Sequence, residues 1–189
     1  VHGQKDVISV MGSKPIHLMT AEERGKNLSL NDYFIDLGMK KEEVVKIVQV
    51  GNVVTREREL IEMGDCVNCK SIDNRVAVFI LIETLRELKG VEIPFDFYGV
   101  FTVQEEVGIR GAQVAAHHIN AEFSFCIDTT IAFDTPGAKP EECVTKLGEG
   151  VAIKIMDSSA ICDYRMVKFM KEQADAAKIK WQPELLPAG

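Results

Sequence analysis

The chain has 189 residues, 46% hydrophobic and 27% charged, with a formal charge of −7. That is ordinary globular composition, long enough for one good core or two small domains. No basic stripe is present, which argues against nucleic acid and anionic membrane as partners, and the longest apolar runs, such as Val76–Ile82, fall far short of a membrane span.

Residues 1–70 carry short β signals: Val7–Gly12 alternates, Tyr33–Leu37 reads as a strand, and Val48–Thr55 reads as another with a bulge at Gly51. Lys14–His17 is an extended or turn segment, Ala21–Lys26 a polar loop, and Lys40–Ile47 a short helix. The pattern predicts a small barrel or sandwich. The character then changes. An apolar face made by Val76, Phe79, Ile80, Ile82, Leu85 and Leu88 predicts a helix with Asp73 as N-cap and Gly90 at its end. Strands are expected at Phe95–Val103, Phe123–Ile127, Gly150–Met156 and Trp181–Leu186, and helices at Arg110–His118 and Tyr164–Lys178. This alternation is that of a layered α/β domain.

Five cysteines, an odd number, fit reduced thiols in a reducing cytoplasm better than a disulfide scaffold. Cys66 and Cys69 have the spacing of a zinc knuckle, but no second pair follows at the usual distance. No cationic start followed by an apolar segment marks a signal peptide.

The chemistry concentrates at the strand ends. Glu105 and Glu106 follow the apolar run ending at Val103 and precede a glycine-punctuated turn into a helix. Open α/β sheets place ligands at the carboxyl ends of strands. Adjacent residues there point in different directions, so one carboxylate can hold a metal while the other reaches a water. Asp73 and Asp128 stand at other element ends, and carboxylates gathered on one sheet edge repel unless a cation or protons neutralise them. Two divalent ions about 3.5–4 Å apart are one answer. Plainer roles stay open: Asp73 as a cap, Glu105 and Glu106 as a solvated turn, Asp128 as a turn residue, His117 and His118 as helix-terminal dipole partners, His17 as structural.

Several segments stand in an order that resembles one family: Pro15-Ile16-His17-Leu18, Tyr33–Gly38, Ile72-Asp73-Asn74-Arg75, Thr102–Ala112, Ile127-Asp128-Thr129, Asp134-Thr135-Pro136-Gly137 and Leu147–Gly150. They are similar to the tetrahedral aminopeptidase and glutamyl aminopeptidase family of dinuclear metallopeptidases, some members of which carry an older label of endoglucanase. The resemblance implies a three-layer αβα catalytic domain over 69–189 and a β-barrel-like inserted domain over 1–68, both partial. It implies that Asp73 bridges two divalent ions, zinc or cobalt, that Glu106 and Asp128 each bind one of them, and that Glu105 is the general base. Peptides would be the substrates, and self-association into dimers and twelve-subunit particles is expected.

The family usually shows Asp-Asp-Arg where this chain has Asp73-Asn74-Arg75. Its two histidine ligands, in an H-x-D motif and after a G-T-D-A motif, are not in this chain, which resembles the middle portion of a longer member. Two other readings remain: an inactive fragment or assembly module, and an endoglucanase-type glycosidase, whose carboxylates would need to flank a sugar from opposite sides.

Overall fold

The computed structural model describes residues 1–187, and the chain divides into two compact units, Val1–Lys70 and Ser71–Gly189.

In the first unit, β1 (Val10–Ser13) and β2 (Tyr33–Asp36) form an antiparallel pair in which Met11 faces Ile35 and Gly12 faces Phe34. A Cβ on Gly12 would stand 2.8 Å from the Phe34 ring, so the missing side chain is what admits the ring. The segment expected as a polar loop is instead a short helix, α1 (Ala21–Arg24). Its cause was in the sequence: Thr20 and Glu23 form a reciprocal capping box, and Lys14 pairs with the Glu23 carboxylate at 2.8 Å. A second helix, α2 (Lys41–Ile47), follows. The expected strand at Val48–Thr55 is not formed; within it only Val53 makes an isolated bridge, to His2.

A hairpin the sequence reading missed, β3 (Ile61–Met63) and β4 (Cys66–Asn68), turns at Gly64-Asp65, where Gly64 takes φ +58°. Cys66 lies on β4, and Cys66 and Cys69 are both free thiols. Only two-stranded sheets are present among the described residues, so the barrel closure expected of this region is not seen.

In the second unit, α3 (Ile72–Glu87) begins one residue before Asp73. The N-cap is Ser71, in the left-handed region at φ +60°, and Asp73 lies inside the helical span with non-helical torsions. The expected capping role of Asp73 is not realised: among the described residues its carboxylate accepts no capping bond, and Asn74 after it is non-helical as well, so regular helical torsions begin only beyond the pair. Next comes α4 (Arg110–Ile119). The runs 95–103 and 123–127, expected as strands, carry no ladder to any described strand. Alternation made them extended, but a strand also needs a neighbour to take its backbone bonds.

A β-α-β unit follows, made of β5 (Val151–Met156), α5 (Tyr164–Ala176) and β6 (Trp181–Leu185). Its strands are parallel, Val151 opposite Trp181 and Ile153 opposite Pro183, as a helical crossover requires. Ile153 on β5 and Val167 and Ala174 on α5 are buried where helix and strand pack. The helix ends in a Schellman motif, with Ile179 N–H donating to the Ala174 carbonyl and Lys178 N–H to that of Asp175.

Candidate metal centre

The turn that carries Glu105 and Glu106 is closed on itself. Glu105 C=O accepts from Gly108 N–H at 3.0 Å and Ile109 N–H at 2.9 Å; Gln104 C=O accepts from Arg110 N–H, and Val103 C=O from Gly111 N–H at 3.0 Å. The two ends of the turn are thus pinned together, and both glutamates project from an exposed loop running into the N-terminus of α4. Gln104, Gly108 and Ile109 all have positive φ, and for β-branched Ile109 at +57° that is a strained conformation. Ser71, two residues before Asp73, is also left-handed. Strain of this kind clusters at functional sites because the surroundings must hold it in place. Gly111 is required by sterics: a Cβ there would lie 2.4 Å from the Val103 carbonyl oxygen.

Asp73 and Asp128 grow from neighbouring stems. The side chain of Asn74, next to Asp73, donates through Nδ2 to the carbonyl of Ile127, next to Asp128, at 3.2 Å. Asp128 Oδ1 accepts from Thr129 N–H at 2.7 Å. The four carboxylates are exposed. Among the described residues no three His, Cys, Asp or Glu converge into a group that could hold a metal ion. In kind, three hard carboxylate oxygens suit divalent cations, and the Asn74–Ile127 bond draws two of their stems together. In number, three carboxylates are fewer donors than two such cations take. The histidines take no part: His2 bonds Asp6 and Thr55, and His117 and His118 lie in the last turn of α4.

Two cavities, of about 450 and 360 Å³, are lined by neither Asp73, Glu105, Glu106 nor Asp128. The first lies beside β5 and α5, among Ile155, Cys162, Val167 and Lys171.

Beyond the carboxylates, the sequence reading missed Glu184. It is 3% exposed, and its Oε1 accepts from the Thr130 hydroxyl at 2.9 Å and pairs with Lys154 Nζ at 3.1 Å. Lys154 also reaches Asp157 at 3.2 Å. Partial burial pushes the Lys154 ammonium down, but its bonds to Glu184 and Asp157 outweigh this and its pKa is raised. No local signal marks this network, since β6 reads Trp181-Gln182-Pro183-Glu184-Leu185 and Glu184 is not its only polar residue.

The chain thus carries a helix-borne aspartate, a paired-glutamate turn and a fourth carboxylate, Asp128, at the end of an extended run. Residues 1–189 match the family described as M42 glutamyl aminopeptidase, and the chain belongs to it. A relative from Acetivibrio thermocellus is 39% identical over 165 residues, covering 87% of this chain and 49% of the relative. The crystal structure of a TET aminopeptidase from the marine sediment archaeon Thaumarchaeota archaeon SCGC AB-539-E09 superposes with a TM-score of 0.88 at 34% identity, over 97% of this chain and 53% of that one. PhTET1-12s, described as a dodecamer, gives a TM-score of 0.74 at 27% identity, over 97% of this chain and 53% of that one. The chain spans about half the length of the curated relatives it matches.

Proposed function

We propose that the whole protein is a metal-dependent aminopeptidase that releases N-terminal residues from peptides, with Glu105 as general base. The observation that carries this is the self-closed Gln104–Gly111 turn, which presents two adjacent glutamates in a chain of the M42 family. Asp73, Glu106 and Asp128 would hold two divalent cations, zinc or cobalt, with Asp73 the carboxylate that would serve both. When bound, the cations polarise the scissile carbonyl and lower the pKa of the attacking water toward neutrality. The Glu105 carboxylate takes a proton from that water as it attacks, and returns it to the leaving amine nitrogen. Glu106 is fixed as a ligand by the same turn that frees Glu105, because neighbours on one turn point apart.

The carboxylates belong to a three-layer αβα domain, residues 1–68 belong to a β-barrel-like assembly domain, and the subunits associate through dimers into a dodecamer in the cytoplasm, as the dodecameric neighbour suggests. A glycosidase reading is disfavoured because Glu105 and Glu106 share one turn and cannot flank a sugar. The test uses the whole protein: Glu105→Gln should keep bound metal yet lose turnover by about 10²–10⁴-fold, and a chelator should abolish the wild-type activity. Full turnover in either case overturns the reading.

A further inference from the structure

Neither Asn74 nor Glu184 is a ligand in the reading above, yet together they grip the segment bearing Asp128 from both sides. Asn74 holds the carbonyl that precedes it, at Ile127. Glu184 holds the side chain two residues beyond, at Thr130. We propose that Asn74 and Glu184 are positioning residues that clamp residues 127–130 and so set Asp128 against Asp73 for the cation pair. The proposal rests on the metallopeptidase reading.

The chemistry of each anchor is specific. An amide facing a carbonyl must present its N–H₂, so the Asn74 orientation is dictated by its partner. Its Oδ1 is buried and has no hydrogen-bond partner among the described residues. A carboxylate at this position would place an acceptor against the Ile127 carbonyl and a second anion beside Asp73. Glu184 lies on β6, and its cation, Lys154, on the adjacent β5, so the second anchor is fixed to the β-α-β unit. An ion pair between a buried carboxylate and a partly exposed ammonium contributes little net stability. What the pair fixes is geometry, and groups that orient metal ligands without touching the metal are where such geometry matters.

The test measures zinc binding to the metal-free whole protein by calorimetry, alongside its melting temperature. Thr130→Val, which removes the hydroxyl that bonds Glu184, should lower the metal-free melting temperature modestly, leave one zinc site at wild-type affinity and weaken the other about 10–100-fold. Thr130→Ser should restore the affinity. Asn74→Leu should weaken the same site; if that variant does not fold, the Thr130 pair decides alone. Wild-type affinity at both sites in Thr130→Val, or an equal loss at both, overturns the clamp and leaves the metallopeptidase reading standing. An unsubstituted protein that binds no zinc or cobalt overturns both.

Discussion

Asp163 holds Arg165 three times: Oδ1 accepts from the Arg165 backbone N–H at 2.8 Å and from Nε at 3.0 Å, and Oδ2 from Nη2 at 2.6 Å. The aspartate is the N-cap of α5, so one carboxylate closes the helix start and carries an ion pair at once. The guanidinium bonds, with the backbone bond behind them, hold its pKa down from 3.8 to about 2. The group keeps its charge longer in the folded state, so its contribution is complete above about pH 4 and is lost as the pH falls through about 2. Asp163→Asn should therefore flatten the dependence of the denaturation midpoint on pH between those values. An unchanged slope would show that the cap does not titrate with folding.

The steric limit at Gly111 predicts a local lesion. Gly111→Ala would drive a methyl into the Val103 carbonyl and break the bond that closes the Glu105-Glu106 turn. Destabilisation of roughly 1–3 kcal/mol is expected, accompanied by loss of metal, read by thermal melts and metal analysis. A variant as stable as wild type and fully loaded would mean the turn tolerates opening.

At the other end of α5, Lys178 sits at φ +55° in the Schellman motif, a position glycine fills without strain. Lys178→Gly should raise stability by about 1 kcal/mol, measured by urea denaturation. A neutral or negative change would put the strain elsewhere.

Ile153 is 3% exposed between β5 and α5. Ile153→Ala should cost about 2–5 kcal/mol, whereas the same truncation at Ile161, 81% exposed, should fall near zero. Comparable losses at both sites would show that β5 and α5 are not the core.

Asp73 and Glu105 should separate by phenotype. As the proposed bridge, Asp73→Ala should release both cations, seen as metal stoichiometry near zero in the purified whole protein. Glu105→Gln should retain both. Retention of metal in Asp73→Ala would remove Asp73 from the ligand set.

Elements whose cause lies within their own residues were legible in the sequence. The periodicity of Tyr164–Ala176, the β-branched run before it and the extended stretch after it gave α5, β5 and β6 within about two residues. The Thr20–Glu23 capping box was equally local and was passed over because the stretch is polar and short. Elements that depend on distant partners were not legible. Alternation in 95–103 says that the chain is extended, not what it pairs with. The Glu105-Glu106 turn was read from its glycines and carboxylates. The contacts made by Asn74 and Glu184 join residues 53 and 54 positions apart, and no local pattern marks them.

The runs 95–103 and 123–127 combine exposed Phe95, Phe97, Phe101, Phe123 and Phe125 with backbone groups that no described strand engages. Two such edges on one polypeptide are templates for intermolecular cross-β pairing. Expressed by itself, this 189-residue segment should therefore partition into inclusion bodies at a threshold concentration, and a lysine or proline placed within either run should raise that threshold more than any change made in α5.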